Sequence, residues 1–348
     1  MHNSVKYHKN KVLIVGAGAS GMMAAAVCAL NGADVLVMEH KERPGIKLSM
    51  TGNGRCNYTN TDVSSRHYVC RDTAFVDKVL EGFGYKECTW FFKSAGIIPD
   101  IRHYSYDDFG YAYPLRMNAA GFCSSLYEFS VKAGAQYSFS VSDEAVTDTV
   151  LNTLEKRDGS AVIIAAGSNA YPSTGSDSSI YPVFKKLGIR FNTFLPALCP
   201  LYSKSEVLSG LKGKRIREWA GLVIDGERDP LLRCFGEIQF NEHSISGIPV
   251  MNLSGRAAAA LREKRKVVLE AGRYSFEIYR AAGFDRAQVC SGGVDISEID
   301  PCTMQSLRFP GLFFCGEIID VYGECGGFNL HFAWASGYKA GRSAAGAC

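Results

Sequence analysis

The order of apolar and polar residues near the start of the chain predicts a strand, a glycine-rich turn, a helix and a second strand. Residues 12–15 form an apolar run, and residues 21–30 are rich in alanine and methionine. Asn31-Gly32 is typical of the end of a helix. The next apolar run, residues 33–38, ends at Glu39. This order is that of a βαβ unit in a parallel sheet.

The middle of the chain carries three further patterns. Apolar spacing predicts helices within residues 74–96 and 115–134. The continuous apolar run at residues 161–167 ends in glycine, and such a run is typical of a buried parallel strand. These segments therefore extend the α/β pattern of the first forty residues.

The second half of the chain changes in character. Short alternating runs broken by glycine and proline predict a mostly β segment over residues 190–255, followed by a short helix over residues 256–266. From residue 288 the chain is apolar and glycine-rich again, and a last helix is predicted over residues 329–345. We therefore expect a β-rich insertion inside an α/β fold.

The turn between the first strand and helix has the spacing of a dinucleotide-binding turn. In a G-x-G-x-x-G turn, the first glycine allows the tight turn, the second admits a pyrophosphate and the third lets helix and strand pack closely. Glu39 is placed to accept hydrogen bonds from ribose hydroxyls and disfavours a 2′-phosphate. The candidate contacts at the helix N-terminus are Gly16, Gly18, Ala19, Ser20 and Gly21.

A second glycine-rich motif lies in the long polar loop at residues 40–60. Its glycines allow the backbone to approach a ligand, and Arg55 and Asn57 offer hydrogen-bond donors. The alternative is a turn-rich surface loop. Cys56 is either a reactive thiol beside Arg55 or an inert buried residue. The candidate contacts in this loop are His40, Lys47, Thr51, Gly52, Asn53, Gly54, Arg55 and Asn57.

Near its C-terminus the chain carries further motifs typical of nucleotide binding. An apolar run ends in Gly316-Glu317, and a Gly-Gly-Phe-Asn-Leu segment precedes the last helix. Matched motifs at both ends predict that the chain leaves a nucleotide-binding sheet and later returns to it, which favours FAD over other dinucleotides. The candidate contacts outside the first sixty residues are Ala166, Gly167, Gly316, Glu317, Gly327, Phe328, Asn329 and Leu330.

Together these motifs resemble a bacterial FAD-dependent oxidoreductase family, the BaiN-like and aminoacetone-oxidase-like flavoproteins. The resemblance is carried by residues 47–60, 110–114, 163–175, 195–201, 236–247, 288–294, 310–317 and 326–330. It implies a split Rossmann-type FAD-binding domain made of residues 1–187 and 286–348. It also implies an inserted β-rich, barrel-like domain over residues 188–285 with a truncated helical part.

The resemblance also implies where parts of FAD bind. Gly167 would end a strand near the adenosine half, and Gly316-Glu317 would meet the ribityl and phosphate region. Residues 327–330 would place the N-terminus of the last helix at the pyrimidine edge of the flavin. A helix N-terminus stabilises negative charge there by about 0.3–2 kcal/mol, which raises the redox potential.

The sequence departs from the family pattern in three places. Family members carry a longer helical subdomain where this chain has only residues 255–285, so the cap over the flavin is predicted to be reduced or absent. Tyr111 stands where arginine is common. His331 stands where glutamine is expected, and it is either a proton donor over the flavin or a residue that packs or orients the cofactor.

Two other groups are candidates for the substrate side. An aromatic and acidic cluster either lines a substrate site or is a plain packed loop. His243 is either near the substrate or a surface or core histidine. The cluster consists of Tyr104, Tyr106, Asp107, Asp108, Tyr111 and Tyr113.

Composition limits the classes of function. The chain has 348 residues, is 47% hydrophobic and carries a net charge of +3, which favours a soluble globular protein without nucleic-acid or membrane partners. Its 12 cysteines include no CxxC pair or zinc-like spacing, which predicts a reducing, cytoplasmic location and no metal. Residues 12–30 approach the length of a membrane span, but the glycine spacing and the following strand argue against a signal or membrane segment.

The sequence therefore predicts an FAD-dependent oxidoreductase that passes a hydride through flavin N5. The predicted donor is NADH or NADPH, and the acceptor is a small organic molecule such as a conjugated C=C compound. Only one dinucleotide fingerprint is present, so the nicotinamide cofactor would dock transiently. The alternatives are an oxidase of a small amine that uses O2 and a non-catalytic flavin-binding redox sensor or interaction protein. The oligomeric state stays open.

Overall fold

Two β structures organise the chain, a parallel sheet and a closed antiparallel barrel. The computed structural model describes residues 10–104, 109–156 and 158–346. The strands are β1 Lys11–Val15, β2 Asp34–Met38, β3 Thr59–Asn60, β4 Tyr68–Val69, β5 Pro99–His103, β6 Gly110–Pro114, β7 Gln136–Ser138, β8 Ala161–Ile164, β9 Phe191–Ala197, β10 Leu201–Ser203, β11 Arg215–Ile224, β12 Glu227–Phe240, β13 Ser244–Ser246, β14 Val267–Ala271, β15 Tyr274–Ala281, β16 Val289–Val294, β17 Leu312–Phe314 and β18 Tyr322–Gly323.

Helices cover the sheet and pack against the barrel. The α-helical segments are α1 Ala19–Leu30, α2 Thr51–Gly54, α3 Thr73–Leu80, α4 Tyr85–Ser94, α5 Ala119–Ala133, α6 Asp143–Lys156, α7 Tyr181–Leu187, α8 Val207–Leu211, α9 Ile248–Arg262 and α10 Phe328–Ala344. Short 3-10 helices occur at Leu48–Met50, Ser65–His67, Pro172–Thr174, Ile296–Glu298 and Gly316–Ile318. None of the described helices combines the length and the apolar composition needed to span a membrane.

The parallel sheet confirms the predicted βαβ unit and the return of the chain. Within the described residues its strand order is β17-β8-β1-β2-β7, with every neighbouring pair parallel. The central strand β1 is buried from Val12 to Val15, as its continuous apolar sequence requires. Leu312 of β17 pairs with Val162 of β8, so a strand made near the end of the chain completes a sheet begun at its start.

Small residues let the first and last helices approach each other closely. A methyl group on Gly337 of α10 would lie 2.6 Å from the Ser20 carbonyl oxygen of α1. A methyl group on Gly341 would lie 2.9 Å from the Ala24 carbonyl oxygen. The apolar face of α1 is therefore covered by a helix from the opposite end of the sequence.

The predicted β-rich insertion contains a closed barrel. In the described part of the chain the barrel order is β10-β13-β12-β11-β14-β15, and β15 pairs with β10 to close it. Helix α9 packs Val250, Leu253 and Ala257 against the barrel core. The expected helix over residues 256–266 in fact begins at Ile248, because Pro249 lies in the first turn, where its missing N–H is tolerated.

Two predicted helices have different bounds in the structure. The pattern at residues 74–96 is two helices, α3 and α4, because Gly82 adopts φ +79° and the chain changes direction there. The N–H of Gly84 then donates to Glu87 Oε2 at 3.0 Å and caps α4. The helix predicted at residues 115–134 begins at Ala119, because the Asn118 side chain caps it.

A tight hairpin follows α9 in the part of the chain where the sequence departs from the family pattern. Strands β14 and β15 pair through Ala271 and Tyr274, so only Gly272 and Arg273 lie between them. Gly272 has φ +57°, a value that suits glycine in a turn. Among the described residues from 263 to 288, the chain forms this hairpin and no helix.

Candidate cofactor and substrate cavity

A cavity of about 650 Å³ lies between the parallel sheet, the glycine-rich loop and the start of α9, the helix that packs against the barrel. The dinucleotide turn and Glu39 line one part of it, and the tyrosines of β6 and the start of α9 line another. Its volume is within the range of small-molecule and cofactor sites, which is about 300–1,000 Å³. One continuous space therefore joins the predicted nucleotide end to the predicted substrate side.

Most of the predicted contacts line this cavity. They are Gly16, Gly18, Ala19, Ser20, Glu39, His40, Lys47, Thr51, Gly52, Asn53, Arg55, Asn57, Ala166, Gly167, Glu317, Gly327, Asn329 and Leu330. Those that do not line it are Gly21, Gly54, Gly316, Phe328 and His331. Two of these exceptions lie directly behind the lining residues, since Gly21 packs under the glycine turn and the N–H of Gly316 donates to Ser336 Oγ at 2.9 Å.

The glycine turn is crowded at Gly16 and Gly21 and open at Gly18. Gly16 has φ +100°, and a methyl group there would lie 2.6 Å from the Ala165 carbonyl oxygen. A methyl group on Gly21 would overlap the Gly16 carbonyl oxygen, so only glycine allows this contact between helix and strand. Gly18 faces open space, with no described atom within 4 Å of a methyl group placed there. The turn thus leaves the N-terminus of α1 accessible from the cavity.

Glu39 is fixed at the end of β2 by two backbone donors. Its Oε2 accepts from the Ala17 N–H at 2.8 Å, and its Oε1 accepts from the Lys41 N–H at 2.8 Å. A carboxylate offers about four acceptor sites, so it keeps capacity for a ligand. His40 lies beside it, with Nδ1 3.3 Å from Asp143 Oδ1. This end of the cavity is therefore rich in hydrogen-bond acceptors.

The glycine-rich loop contains three residues with left-handed backbone angles. One buried hydrogen-bond acceptor in this loop has no partner among the described residues. Gly52, Asn53 and Gly54 have φ values of +57°, +52° and +79°. Among the described residues the buried Asn57 Oδ1 has no hydrogen-bond partner, although Asn57 lines the cavity. Leaving such an acceptor unsatisfied costs about 1–3 kcal/mol. This atom therefore marks a place where a ligand can donate a hydrogen bond.

Cys56 in the same loop has the environment of an inert thiol. It is fully buried, and this burial raises its pKa to about 12. A thiol with such a pKa carries almost no thiolate near neutral pH, and the thiolate is the reactive form. The structure therefore favours the buried, inert alternative.

An ion pair joins the loop to the returning segment. Lys47 Nζ lies 2.6 Å from Glu317 Oε2, and both side chains are partly buried and line the cavity. Glu317 Oε1 also accepts from the Cys290 N–H at 3.2 Å. These contacts hold the two ends of the chain together at the cavity wall.

The N-terminus of α10 reaches the cavity next to the glycine-rich loop. Gly327 has φ +91°, and a methyl group there would lie 2.9 Å from both Asn57 Oδ1 and the Thr59 carbonyl oxygen. Asn329 Oδ1 accepts from the Gly323 N–H at 2.7 Å, and its Nδ2 donates to the Gly323 carbonyl oxygen at 2.7 Å. The side chain of Asn329 thus fixes the approach to the helix.

His331 lies in the core and not on the cavity wall. Its Nε2 is 2.9 Å from the Phe83 carbonyl oxygen, and its Nδ1 is 2.7 Å from Thr59 Oγ1. Burial lowers the pKa of His331 to about 4, so the neutral ring donates through Nε2 and accepts from the threonine hydroxyl. This geometry favours the packing alternative, and we assign His331 no proton-donor role.

Three tyrosines of the predicted aromatic cluster form the outer wall. Tyr104, Tyr111 and Tyr113 line the cavity, and the Tyr104 and Tyr111 rings meet edge to face at 5.1 Å. The guanidinium groups of Arg55 and Arg102 lie 5.6 and 4.9 Å from the centre of the Tyr113 ring. The remaining cluster residues, Tyr106, Asp107 and Asp108, lie outside the described residues.

The structure separates His243 from this wall and adds residues that the sequence did not indicate. His243 is exposed between β12 and β13 and does not line the cavity, which fits the surface alternative.

Several residues that line the cavity were not indicated by the sequence. They include Leu198, Ile248, Met251, Val289, Glu324 and Cys325. The Ser-Gly before α9 could have drawn attention to Ile248 and Met251. Within the described residues no cluster of metal-ligating side chains occurs.

A Rossmann-type sheet built from both ends of the chain, with a cavity of this kind beside it, is characteristic of FAD-binding oxidoreductases. Comparison with known proteins agrees. The HI0933-like protein Rossmann domain profile matches residues 10–343. The chain belongs to this family of BaiN-like and aminoacetone-oxidase-like FAD-dependent oxidoreductases, which confirms the predicted family, fold class and type of enzyme.

Relatives of known function cover nearly the whole chain. The chain is 31% identical to the 3-dehydro-bile acid delta(4,6)-reductase of Clostridium scindens over 413 aligned positions, which cover 97% of this chain and 99% of the relative. It is 23% identical to the ribosomal RNA dihydrouridine synthase of Escherichia coli, with 94% and 96% covered. The 413 aligned positions exceed the 348 residues of this chain by 65, so the reductase carries at least that many residues without a counterpart here.

A solved structure supports the fold alone. The 3-ketosteroid-delta4-(5alpha)-dehydrogenase of Rhodococcus jostii RHA1, in complex with 4-androstene-3,17-dione, superimposes with a TM-score of 0.55. The superposition covers 98% of each chain at 13% sequence identity. At this level of identity the likeness describes architecture and leaves the substrate to be argued from the site.

Proposed function

We propose that this protein reduces a conjugated C=C bond of a small organic acceptor, using FAD and a hydride from NADH or NADPH. The observation that carries the proposal is the single cavity that runs from the dinucleotide turn to a wall of tyrosines and apolar side chains. The bile acid reductase, at 31% identity, supports this choice of reaction.

The residues present fit FAD. The N-terminus of α1, with Gly16, Gly18, Ala19 and Ser20, would hold the pyrophosphate, and Glu39 the ribose. His40, Ala166 and Gly167 would lie near the adenosine half. The unsatisfied Asn57 Oδ1 suits a flavin, because the pyrimidine ring of a flavin carries an N–H donor.

Other lining residues would serve the flavin half. Lys47 and Glu317 would lie near the ribityl and phosphate region, while Gly327, Asn329 and Leu330 would bring the N-terminus of α10 towards the pyrimidine ring. Thr51, Gly52, Asn53 and Arg55 would complete the cradle. When bound, FAD supplies the hydride transfer, and the helix N-terminus stabilises its reduced form by about 0.3–2 kcal/mol.

We further propose a division into two domains. The FAD-binding domain comprises residues 1–187 and 286–348, and the inserted domain comprises residues 188–285. The barrel strands, from Leu201 to Ala281, all fall inside the proposed insertion. The turn between β14 and β15 is short, and we propose that a reduced cap leaves room for a nicotinamide cofactor to dock transiently.

Anaerobic titration of the purified protein tests this function. The visible spectrum is recorded, and NADH, NADPH or a panel of small amines is then added. Loss of absorbance at about 450 nm with a pyridine nucleotide, followed by its recovery with a 3-oxo-4,6-diene bile acid or 2-cyclohexen-1-one, supports the reductase.

Other outcomes of this titration reject the reductase. Bleaching by amines alone, with recovery in O2, identifies an amine oxidase. A bound flavin that no donor reduces points to a redox sensor or an interaction protein. A protein that binds no flavin contradicts the assignment of the cavity.

A further inference from the structure

A buried histidine lies between two carboxylates beside the cavity. His67 Nδ1 is 3.0 Å from Glu324 Oε2, and His67 Nε2 is 2.9 Å from Asp62 Oδ2. Only 5% of His67 is exposed, whereas the Glu324 side chain is 40% exposed and lines the cavity. The three residues thus form a hydrogen-bonded row that ends at the cavity wall.

The backbone and two aromatic rings fix this row. The N–H of Glu324 donates to the His67 carbonyl oxygen at 2.9 Å, next to the pairing of β4 with β18. The imidazole stacks on Phe328 with ring centres 4.1 Å apart and meets Phe109 edge to face at 5.1 Å. The ring therefore has one orientation, with Nδ1 towards the cavity side.

The two carboxylates favour the charged form of the imidazole. Burial alone lowers the pKa of His67, but hydrogen bonds to Glu324 and Asp62 outweigh burial and raise this pKa above 6.5. Arg66 faces the same group, with Nε 3.2 Å from His67 Nε2, and it also pairs with Asp62. The Arg66 Nε–H can donate to His67 Nε2 only when the ring is neutral; with an imidazolium in place, both ring N–H groups donate to carboxylates and Arg66 keeps its pairing with Asp62.

Three other acidic groups near Glu324, namely Tyr322, Cys325 and Cys234, keep their protons near pH 7. Burial raises the pKa of Tyr322 and of Cys325 to about 12, and that of Cys234 to about 11. His67 is therefore the group beside Glu324 that holds an exchangeable proton near neutral pH. Glu324 in turn is the carboxylate through which this proton can reach the cavity.

We propose that Glu324 donates the proton that accompanies hydride transfer to the acceptor, with His67 as its proton reserve and Asp62 as a positioning residue. The assignment rests on the proposed reductase function. Reduction of a conjugated enone adds one hydride at the β-carbon, supplied when FAD is bound, and one proton at the α-carbon. The Nδ1 proton of His67 passes to the Glu324 carboxylate, and Glu324 gives this proton to the acceptor as the new C–H bond forms.

The proton balance of this step depends on His67. After this transfer Glu324 is again a carboxylate and the His67 ring is neutral. Asp62 keeps the Nε2–H bound and holds the ring in place, as the acidic member of a catalytic triad does. After product leaves, water in the cavity returns one proton through Glu324 to Nδ1. The net reaction consumes one hydride and one solvent proton per C=C bond.

Separate measurements of flavin reduction and flavin reoxidation test whether Glu324 is the proton donor. The flavin is reduced with dithionite, and its reoxidation by 2-cyclohexen-1-one is followed without O2. In Glu324→Gln this reoxidation is expected to slow by about 10²–10⁴-fold, the usual range for loss of a general acid. Flavin reduction by NADH or NADPH involves no proton transfer to an acceptor and should stay within twofold of the wild type.

The matched control is Glu242→Gln. Glu242 is an exposed carboxylate of the barrel that pairs with Lys212 at 2.7 Å, away from the cavity. Tyr111→Phe and Tyr113→Phe test the other proton donors on the wall. Reoxidation of Glu324→Gln at the wild-type rate, or a loss confined to a tyrosine variant, overturns the assignment. A wild-type protein whose reduced flavin no enone reoxidises instead overturns the proposed reductase function.

A second measurement does not depend on turnover. Imidazole NMR signals report the pKa of His67, which is expected above 6.5 in the wild type and lower in Glu324→Gln and Asp62→Asn. The pKa should be unchanged in Glu242→Gln. A His67 pKa at or below 6.5 in the wild type would contradict the proton-reserve role even if the variants lose activity.

Discussion

At the scale of single residues, His331 shows how burial fixes a protonation state. The folded protein holds this ring neutral, with a pKa of about 4 instead of the ordinary 6.5. Between these two pH values the unfolded chain binds a proton that the folded protein excludes. Stability from this group is therefore complete above pH 6.5 and is lost as the pH falls towards 4, by at most about 1.4 kcal/mol per pH unit.

Replacing His331 by glutamine should remove this pH dependence. Glutamine can donate to the Phe83 carbonyl oxygen and accept from Thr59, but it does not titrate. Between pH 7.5 and pH 5, the free energy of unfolding should fall by about 1–2 kcal/mol less in His331→Gln than in the wild type. Urea unfolding at both pH values measures this difference, with exposed His243→Gln as the control. Equal losses in all three proteins would contradict a neutral buried ring.

A second single-residue prediction concerns a methyl group at Gly327. This residue has φ +91°, and a methyl group would press on Asn57 Oδ1 and the Thr59 carbonyl oxygen at 2.9 Å. Gly327→Ala should weaken FAD binding by about 10- to 100-fold, since strain of this kind costs about 1–3 kcal/mol. Quenching of flavin fluorescence measures the affinity.

Gly96→Ala provides the matched control for Gly327→Ala. Gly96 has φ +78°, and a methyl group there meets no described atom within 4 Å. The Gly96 variant should therefore lose stability from backbone strain but bind FAD as the wild type does. Similar loss of FAD affinity in both variants would mean that the crowding beside Asn57 is not the cause.

At the scale of elements, the hairpin of β14 and β15 marks where the barrel tolerates extra chain. Both strands are paired along their lengths, and the turn residues Gly272 and Arg273 are exposed, although the Gly272 N–H donates to the Trp219 carbonyl oxygen at 2.9 Å. Inserting six Gly/Ser residues there should cost only about 1 kcal/mol, because loop closure depends weakly on length. FAD binding should be retained, as judged by the visible spectrum and by urea unfolding.

The same six residues inserted between Gly52 and Asn53 make the contrasting variant. These residues form the left-handed turn that presents Asn57 to the cavity. The second insertion should abolish FAD binding while leaving a folded barrel. Loss of FAD in both variants would show that the hairpin itself supports the cavity.

The elements also show what sequence patterns can predict. The strand, turn and helix of residues 11–30 were predictable because glycine spacing and a continuous apolar run have one common structural solution. The start of α9 was not, because Pro249 marks a break unless it falls in a first turn. Glu324 lies in the loop between β18 and α10, whereas Met251 lies on α9 of the inserted segment, and only tertiary packing brings them to one cavity, so local sequence patterns carry no signal for them.

At the scale of the whole molecule, residues from both ends of the chain and from the inserted segment line one cavity. The Lys47–Glu317 ion pair and the β17–β8 pairing join segments that are far apart in sequence. A ligand in this cavity therefore contacts parts of the chain that separate on unfolding. Such a ligand stabilises the folded state as a unit.

FAD should accordingly raise the unfolding temperature in proportion to the logarithm of its concentration. Binding to the folded state alone adds about 2.7 kcal/mol at a ligand concentration of 100 times Kd. Riboflavin, which lacks the adenosine and phosphate groups, should have a smaller effect at the same concentration. Differential scanning calorimetry of the apoprotein with each ligand measures both, and equal effects would contradict the assignment of the glycine turn to the pyrophosphate.

The packing of α10 against α1 has a consequence for synthesis of the protein. Helix α1 leaves the ribosome early, but the helix that covers its apolar face comes roughly 300 residues later, which is about 15–60 s at usual rates of translation. Strand β17, the sheet neighbour of β8, follows β8 by about 150 residues. During that interval the nascent chain exposes an alanine-rich surface and an open sheet edge. Recombinant yield should therefore depend on chaperone supply and on temperature more than the finished fold suggests.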